Sequence, residues 1–165
     1  MAPSVIMTRM LNMTHAVTIR EMKLADVAAV AGIEAQVQQF PWSEANFRDS
    51  YLACHVMFVA EVDTTVVGFM VIMMGPDVGE LLLIGVDPAW QSQGVGSALL
   101  EAGEQLVRHK GREALLLEVR RSNQQAQVFY AARGYCQIGM RKNYYPLDEQ
   151  QREDALLLQK DLGVE

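Results

Sequence analysis

The chain has 165 residues, half of them hydrophobic and 21% charged, and this composition excludes a disordered protein and a disulfide-stapled miniprotein. Its length is that of a single domain, since domains run to about 100–200 residues. The 14 Lys and Arg against 20 Asp and Glu leave a net charge of −6, which disfavours nucleic acid as the main ligand and favours a cationic amine or basic peptide. No apolar stretch reaches the roughly 18 residues of a membrane span, so we expect no membrane attachment.

Cysteine and histidine usage indicates a reducing compartment and no metal centre. Cys54 and Cys136 are the only cysteines, and they fit neither a disulfide framework nor a C-x-x-C motif. The histidines, His15, His55 and His109, lie too far apart in sequence for zinc-ligand spacing. We therefore expect a cytoplasmic protein without a bound metal.

Residues 1–15 are predicted to be a disordered leader. They contain four methionines and one charged residue, Arg9, and their longest apolar run is Val5-Ile6-Met7. A secretory signal needs an apolar core of about 7–15 residues, which this segment lacks. Met13 offers an alternative start, and the folded domain is expected to cover residues 16–162. Removal of the leader should then leave stability and activity unchanged.

After the leader, the hydrophobic pattern begins with a strand and two helices. Apolar and polar residues alternate over 17–22, which is typical of a half-buried strand. Asp26 stands at an N-cap position before an apolar helix, and Pro41 ends that helix. Ser43 begins the second helix.

The middle of the chain predicts three strands and a helix. Two β-branched segments joined by 63–65 form a hairpin, whose turn signal is weak because no glycine supplies positive φ. A continuous Leu, Ile and Val run within 80–86 is typical of a central strand buried on both faces. Helical spacing of apolar residues then predicts a helix from about Gly94 to His109. The hairpin strands are 56–62 and 66–74.

The last third of the chain predicts a strand, a helix and two final strands. The first strand is 114–119, and the helix that follows it, 123–133, stops at Gly134. The final strands are 135–140 and about 155–160. The pattern as a whole predicts an α/β (α+β) fold: one domain with a mixed, mostly antiparallel sheet and flanking helices.

The strand–loop–helix connection over 84–96 has the most informative sequence. Gly94 and Gly96 open a helix, where free backbone N–H groups and the positive end of the helix dipole suit an anion such as pyrophosphate. A Walker loop would need Gly-Lys-Ser/Thr here, and a Rossmann fingerprint would need Gly or Ala in place of Leu99. From the glycines alone, an ordinary packing turn is an equally good interpretation.

Glu118 and Tyr130 are the candidate acid–base residues. Glu118 interrupts an apolar strand near its C-terminal end, where open sheets place their sites. The alternative is an ion pair with Arg120 or Arg121. Tyr130 lies two helical turns after Asn123, which predicts a shared face, and a phenol can protonate a departing thiolate. The alternative for Tyr130 is a place in the core.

The loop resembles the pyrophosphate loop of the GNAT acyltransferase superfamily, Gln/Arg-x-x-Gly-x-Gly/Ala, at Gln91, Gly94 and Gly96. The resemblance covers nearly the whole chain after the leader. It implies acetyl-CoA as the donor, with the pantetheine arm lying where two central parallel strands, 80–86 and 115–119, splay apart. The residues that it assigns to the cofactor are Ile84, Gly85, Val86, Gln91, Ser92, Gln93, Gly94, Val95, Gly96, Ser97 and Asn123.

Four further segments are similar to the RimI-type ribosomal-protein-alanine N-acetyltransferases. In that group the glutamate matching Glu118 is the base, the tyrosine matching Tyr130 is the acid, and the asparagine matching Asn123 binds the cofactor. Two departures are Gly85 in place of the usual Ala, which would loosen the strand beside the thioester, and Trp90 in place of Tyr. The segments are Phe40-Pro41-Trp42-Ser43-Glu44, Leu117-Glu118-Val119-Arg120, Ser122-Asn123 and Asn143-Tyr144-Tyr145-Pro146.

This resemblance implies direct acetyl transfer to the N-terminal α-amine, on alanine, of a ribosomal protein with a basic tail. The peptide is expected along 40–47 and 143–146, with Trp42, Glu44 and Tyr144 as substrate-binding residues. The alternative is that Trp42 and Tyr144 cap the core. Other functions left open are a lysine or small-amine acetyltransferase, a non-catalytic acyl-CoA-binding sensor and a subunit of a larger modification complex. The oligomeric state is left open as well.

Overall fold

Eight strands and four α-helices make up the part of the chain that the structure, a computed structural model, describes, which is residues 4–163. The strands are β1 (Val5–Met10), β2 (Ala16–Glu21), β3 (Val56–Val62), β4 (Thr65–Met74), β5 (Val78–Val86), β6 (Ala114–Arg120), β7 (Cys136–Pro146) and β8 (Arg152–Asp161). The helices are α1 (Val27–Val37), α2 (Glu44–Leu52), α3 (Val95–His109) and α4 (Gln124–Ala131). The strand order is β1-β2-β3-β4-β5-β6-β8-β7, which confirms the predicted mixed sheet with flanking helices.

The first of two compact units runs to Met74 and again from Leu82 to Leu106. In it, β2, β3 and β4 pair antiparallel in sequence order. Helix α2 begins at Ser43 as predicted, because Ser43 Oγ accepts the Asn46 N–H at 3.2 Å and Asn46 Oδ1 accepts the Ser43 N–H at 2.9 Å. One buried hydrophobic cluster of this unit consists of Met22, Val27, Val30, Ile33, Phe47, Met57, Val59, Phe69 and Val71.

Strand β1 corrects the prediction of a disordered leader. It pairs antiparallel with β2, and the Arg9 guanidinium forms an ion pair with Glu101 of α3. The prediction for 1–15 is therefore wrong over 5–10, while 1–3 lie outside the described residues. The hydrophobic pattern of a short edge strand is weak, because such a strand is stabilised mainly by pairing with its neighbouring strand.

The β3–β4 hairpin forms despite its weak turn signal. Its two-residue turn consists of Asp63, with φ of +48°, and Thr64, with φ of +65°. Positive φ at both central residues is what a type I′ turn requires, and that turn matches the twist of the flanking strands. Pairing of the two strands therefore holds a non-glycine turn in the left-handed region.

Asp26 stands at the N-cap of α1 as predicted, but its side chain does not cap the helix. Its carboxylate accepts the Arg20 guanidinium at 2.8 and 2.9 Å and the Lys23 N–H at 2.8 Å. Arg20 also donates to Glu61 of β3 at 2.7 Å. Burial alone would raise the pKa of Asp26, but these hydrogen bonds lower it overall. Asp26 therefore ties β2 to the start of the helix as an anion.

The second compact unit comprises Gly75–Leu81 and the chain from Val107 onward. Its part of β5 runs parallel to β6, from Val78 opposite Ala114 to Leu81 opposite Leu117. Strand β8, the last in the chain, lies between β6 and β7 and is antiparallel to both. The predicted parallel pair is confirmed over this stretch, and its divergence further along stays a prediction.

Two structural findings concern membranes and metals. Among residues 4–163, no helix combines the length and the apolar character needed to cross a bilayer. Within the same range, no three His, Cys, Asp or Glu side chains are grouped in a way that could hold a metal ion. Both cysteines, Cys54 and Cys136, are exposed free thiols.

Candidate active site

The loop between β5 and α3 begins with a hydrogen-bonded turn. Pro88–Trp90 forms one turn of 3-10 helix, and Asp87 Oδ1 accepts the N–H of Ala89 at 2.9 Å. Gln91 Nε2 then donates to the carbonyl oxygen of Val86 at 3.1 Å. The glutamine of the predicted motif thus ties the loop back to the end of β5.

Two residues of this loop have left-handed backbone conformations. Ser92 has a φ of +61° and Gly94 a φ of +95°, and both are exposed. The Gly94 carbonyl accepts the N–H of Ala98 at 3.0 Å, so α3 starts immediately after this glycine. The first N–H groups of a helix have no partner within it, and together with the helix dipole they attract an anion. The conformation of Gly94 and its place at the helix start suit a pyrophosphate loop.

Gly85 lies in β5 against an aromatic ring. A Cβ at this position would stand 2.5 Å from Phe69 Cε1 and 2.8 Å from Phe69 Cζ. Phe69 contacts Phe47 edge-to-face at 5.5 Å between ring centroids, and Phe47 contacts Trp42 at 5.4 Å. The glycine therefore makes room for the first ring of an aromatic row that runs from β4 to the segment before α2.

Glu118, in the second unit, lies near two side chains of β7. Its side chain is 14% exposed, and its Oε1 forms an ion pair with the Nε of Arg141, 2.9 Å away. Tyr144 is near the same carboxylate, and the negative charge of Glu118 is the largest cause of the raised pKa of Tyr144. Because Arg141 is 55% exposed, water can reach this ion pair.

Arg141 is a neighbour of Glu118 that the sequence analysis missed. Leu157 of β8 lies opposite Glu118 on one side and opposite Gly139 of β7 on the other. Paired residues, and every second residue along a strand, project from the same face of a sheet. Arg141 therefore shares the face of Glu118.

The two arginines nearest to Glu118 in sequence pair with acidic residues of β8. Arg120 Nη1 lies 2.9 Å from Glu153, and Arg121 Nη1 lies 3.1 Å from Asp154. The ion-pair partner found for Glu118 comes from β7. No local pattern signals this, because the partner depends on the insertion of β8 between β6 and β7.

Tyr130 is 5% exposed and packs among aromatic rings of the second unit. Its ring contacts Phe129 at 5.1 Å and Tyr135 at 5.4 Å, both edge-to-face. Burial, reinforced by the nearby Tyr145, raises the pKa of Tyr130 above its usual 10. Burial and the charge of Glu118 likewise raise the pKa of Tyr145 to about 12. Neither phenol therefore ionises near neutral pH.

Asn123 caps α4 and lies outside it. Its Oδ1 accepts the N–H of Ala126 at 3.0 Å, and its φ of −84° and ψ of 76° are not helical. The predicted shared face with Tyr130 is therefore wrong, since the seven-residue spacing assumes that both residues are helical. Asn123 is exposed, whereas Tyr130 is buried.

Comparison with known proteins identifies the family. Residues 27–135 match the family model described as the acetyltransferase (GNAT) family.

The chain belongs to the GNAT acetyltransferase family.

GNAT relatives resemble the chain over nearly its whole length. The [ribosomal protein bS18]-alanine N-acetyltransferase of Escherichia coli (strain K12) is 34% identical over 141 residues, which is 86% of this chain and 95% of that protein. The N-alpha-acetyltransferase RimI of Mycobacterium tuberculosis is 34% identical over 157 residues, covering 91% and 96%. The crystal structure of the Escherichia coli ribosomal-protein-S18-alanine N-acetyltransferase has a TM-score of 0.83 at 32% identity, covering 90% of this chain and 96% of that one. The protein is thus a GNAT acyltransferase, and this family uses acetyl-CoA.

The residues predicted to bind the substrate differ in their surroundings within this GNAT fold. Trp42 packs on the core of the first unit, and its backbone N–H donates to the buried Glu34 at 3.1 Å. Glu44 is exposed and lies 3.4 Å from Arg48, one turn further along α2. Tyr144, in the second unit, has 42% of its surface exposed. The core-capping alternative therefore fits Trp42, whereas Tyr144 has its exposed ring beside the candidate base.

Replacement of Gly85 by the alanine that is usual in the resembled GNAT sequences should destabilise this chain. The added methyl group requires the fully buried Phe69 ring to move, which is expected to lower the free energy of unfolding by about 1–3 kcal/mol. Gly32→Ala in α1 is the matched control: nothing lies within 4 Å of its added Cβ, and it should stabilise the helix by about 1 kcal/mol. Urea unfolding measures both variants. A Gly85→Ala variant as stable as the wild type would contradict the tight contact with Phe69.

Proposed function

We propose that this GNAT enzyme transfers the acetyl group of acetyl-CoA to the α-amine of the N-terminal alanine of a ribosomal protein. The observation that carries the proposal is Glu118, a largely buried carboxylate that forms an ion pair with Arg141 and lies near Tyr144, close to the end of a sheet strand. Support for the substrate comes from the relatives, whose names specify alanine N-acetylation of ribosomal protein bS18. A cytoplasmic location follows from such a substrate.

The loop Gln91–Gly94 and the first turn of α3 are proposed to bind the pyrophosphate of acetyl-CoA. Ser92 and Gly94 have exposed, left-handed backbone, and α3 starts directly after Gly94. This arrangement offers N–H donors to the oxygens of an anion. Val95, Gly96 and Ser97 supply the first-turn N–H groups. Ile84, Gly85 and Val86 are assigned to the acyl end, and Asn123 to a further contact with the cofactor.

Glu118 is proposed to act as the base. A peptide N-terminus is an ammonium ion at neutral pH, and it must lose a proton before its nitrogen can attack. The Glu118 carboxylate accepts that proton, directly or through a water molecule. The neutral nitrogen then forms a bond to the thioester carbonyl carbon, and a backbone N–H near Val86 stabilises the negative charge on the carbonyl oxygen.

Tyr130 is proposed to act as the acid. When the carbon–sulfur bond breaks, its electron pair leaves on the CoA sulfur, and the phenol donates a proton to that thiolate. A phenol with the usual pKa of 10 is protonated at neutral pH, and burial and Tyr145 raise the pKa of Tyr130 further. After the new bond forms, the nitrogen still carries an excess proton, which passes to the Tyr130 phenolate, and Glu118 releases its own proton to water. The products are an acetylated N-terminus, neutral CoA thiol and one proton in solution, so atoms and charge balance.

The peptide is proposed to bind along 40–47 and 143–146. Glu44 and the overall charge of −6 favour a basic tail and disfavour nucleic acid. Exposed charge pairs are screened beyond about 8–10 Å at physiological ionic strength, so added salt should weaken peptide binding. Trp42 and Tyr144 would contribute apolar contacts that salt does not weaken.

The substrate proposal predicts a preference for a free α-amine. An Ala-initiated basic peptide should be acetylated at its N-terminus, whereas the same peptide with a blocked N-terminus, free lysine and a polyamine should react far more slowly. Mass spectrometry locates the acetyl group, and a rise in KM with salt for the basic peptide supports the charge argument. Comparable acetylation of the blocked peptide at an internal lysine would contradict the α-amine assignment. Binding of acetyl-CoA without turnover on any of these amines would instead favour an acyl-CoA sensor.

A further inference from the structure

The turn between β1 and β2, residues 11–15, lies beside the proposed pyrophosphate loop. Leu11 Cδ2 is 3.7 Å from the place where a Cβ on Gly94 would stand. At the other end of the turn, the His15 ring packs edge-on against the Trp90 indole, with 5.2 Å between centroids and 81° between planes. Leu11, at the start of the turn, therefore lies beside Gly94, the last residue of the loop. His15, at the end of the turn, packs on Trp90, just before the loop begins.

The turn has a defined conformation of its own. Asn12 Oδ1 accepts the N–H of Thr14 at 2.8 Å, the Thr14 hydroxyl at 2.9 Å and the N–H of His15 at 2.8 Å. The Leu11 N–H donates to the His15 carbonyl at 2.9 Å. An Asn side chain that accepts hydrogen bonds from nearby N–H groups stabilises a turn in the way that backbone hydrogen bonds otherwise do. The turn is thus a preformed element.

The strand that carries this turn is connected to the helix that follows the loop. Arg9 of β1 forms its ion pair with Glu101, which lies two turns into α3. The ion pair therefore links β1 to α3 on the C-terminal side of residues 91–94. All these residues belong to the first compact unit.

A loop with this conformation gains from such support. Ser92 and Gly94 are exposed and left-handed, and the side-chain hydrogen bonds from Gln91 to Val86 and from Gln93 to Ala89 involve neither of them. Ordering an exposed loop upon ligand binding lowers affinity through lost conformational entropy, and a loop already held in its bound form avoids that loss. Contacts with the turn, at Leu11 and His15, supply this restraint before any ligand binds.

We propose that the β1–β2 turn is a positioning element of the acyl-CoA site, in which Leu11 and His15 hold the loop 91–94 in the conformation that binds pyrophosphate. The inference rests on the proposed function of that loop. It extends the site to a segment outside residues 27–135, the part of the chain that matches the family model.

Four variants test the proposal. Leu11→Ser and His15→Ala remove the two contacts. Met13→Ser is the matched control, since Met13 is an apolar side chain of the same turn that is 98% exposed. His15→Phe keeps a ring against Trp90 without the imidazole nitrogens. Melting temperatures establish that each variant is folded.

Leu11→Ser and His15→Ala should weaken acetyl-CoA binding in calorimetry by about five- to tenfold and raise KM for acetyl-CoA without changing kcat at saturation. In the ligand-free protein, amide hydrogen exchange of the peptide covering 91–94 should become faster. Met13→Ser and His15→Phe should match the wild type in both measurements. If Leu11→Ser or His15→Ala fails to fold, these two variants still test the proposal. Impaired binding by Met13→Ser or by His15→Phe contradicts the assigned contacts.

The outcomes separate this inference from the proposed function. If the wild type binds acetyl-CoA and Leu11→Ser and His15→Ala bind it equally well, only the role of the turn is overturned. A lower melting temperature with wild-type affinity and loop exchange also overturns it, because the turn then acts only in stability. If the wild type does not bind acetyl-CoA, the proposed function of the loop fails first.

Discussion

Glu118→Gln is expected to lower turnover by about 100-fold or more, the range for loss of a positioned proton acceptor. The amide has nearly the same shape as the carboxylate but cannot take a proton from the substrate ammonium. The acidic limb of the pH–rate profile should disappear with it, because that limb reports protonation of the base. The measurement is kcat for a free-amine peptide across pH, with the melting temperature as a check on folding.

Arg141→Gln is the matched control, because it breaks the same ion pair and leaves the carboxylate in place. Arg141 is 55% exposed, and an ion pair this accessible to water contributes little energy, so turnover should stay within about fivefold of the wild type. An equal loss in both variants would mean that the ion pair is required and the proton acceptor is elsewhere. A wild-type rate for Glu118→Gln would leave Glu118 with a purely structural role.

Gly94→Val should lower the affinity for acetyl-CoA by about 10- to 100-fold. The φ of +95° at Gly94 disfavours every side chain, and a β-branched one most strongly, so the loop has to change its backbone to relieve the strain. The N–H groups that the pyrophosphate needs would move with it. Calorimetric titration with acetyl-CoA measures the loss.

Gly111→Val separates a local effect on the loop from a general effect of strain. Gly111 has a φ of +75° in the turn after α3, and nothing lies within 4 Å of an added Cβ. The control should lose stability through the same backbone strain while keeping wild-type affinity. Normal binding by Gly94→Val would show that the pyrophosphate binds elsewhere, and equal losses in the two variants would indicate global destabilisation.

Several elements of the fold could be predicted because neighbouring residues determine them. Ser43 begins α2 through a hydrogen bond to a residue three positions away, and Gly134, with a φ of +91°, follows the end of α4. Helix α3 appears where the apolar spacing predicts it. The loop with Gly94 is identified for the same reason: its glycine and the following helix are adjacent in sequence.

The sequence by itself therefore determined the order of the elements after the leader, the family and the candidate loop. Only the tertiary structure decided that Val5–Met10 is a strand, that Arg141 faces Glu118, and that Gly85 accommodates Phe69. Each of these depends on which strands lie side by side. A capping residue or an apolar spacing is set within a few residues of one chain segment, whereas an edge strand, a cross-strand ion pair and a ring beside a glycine join residues that are far apart in sequence.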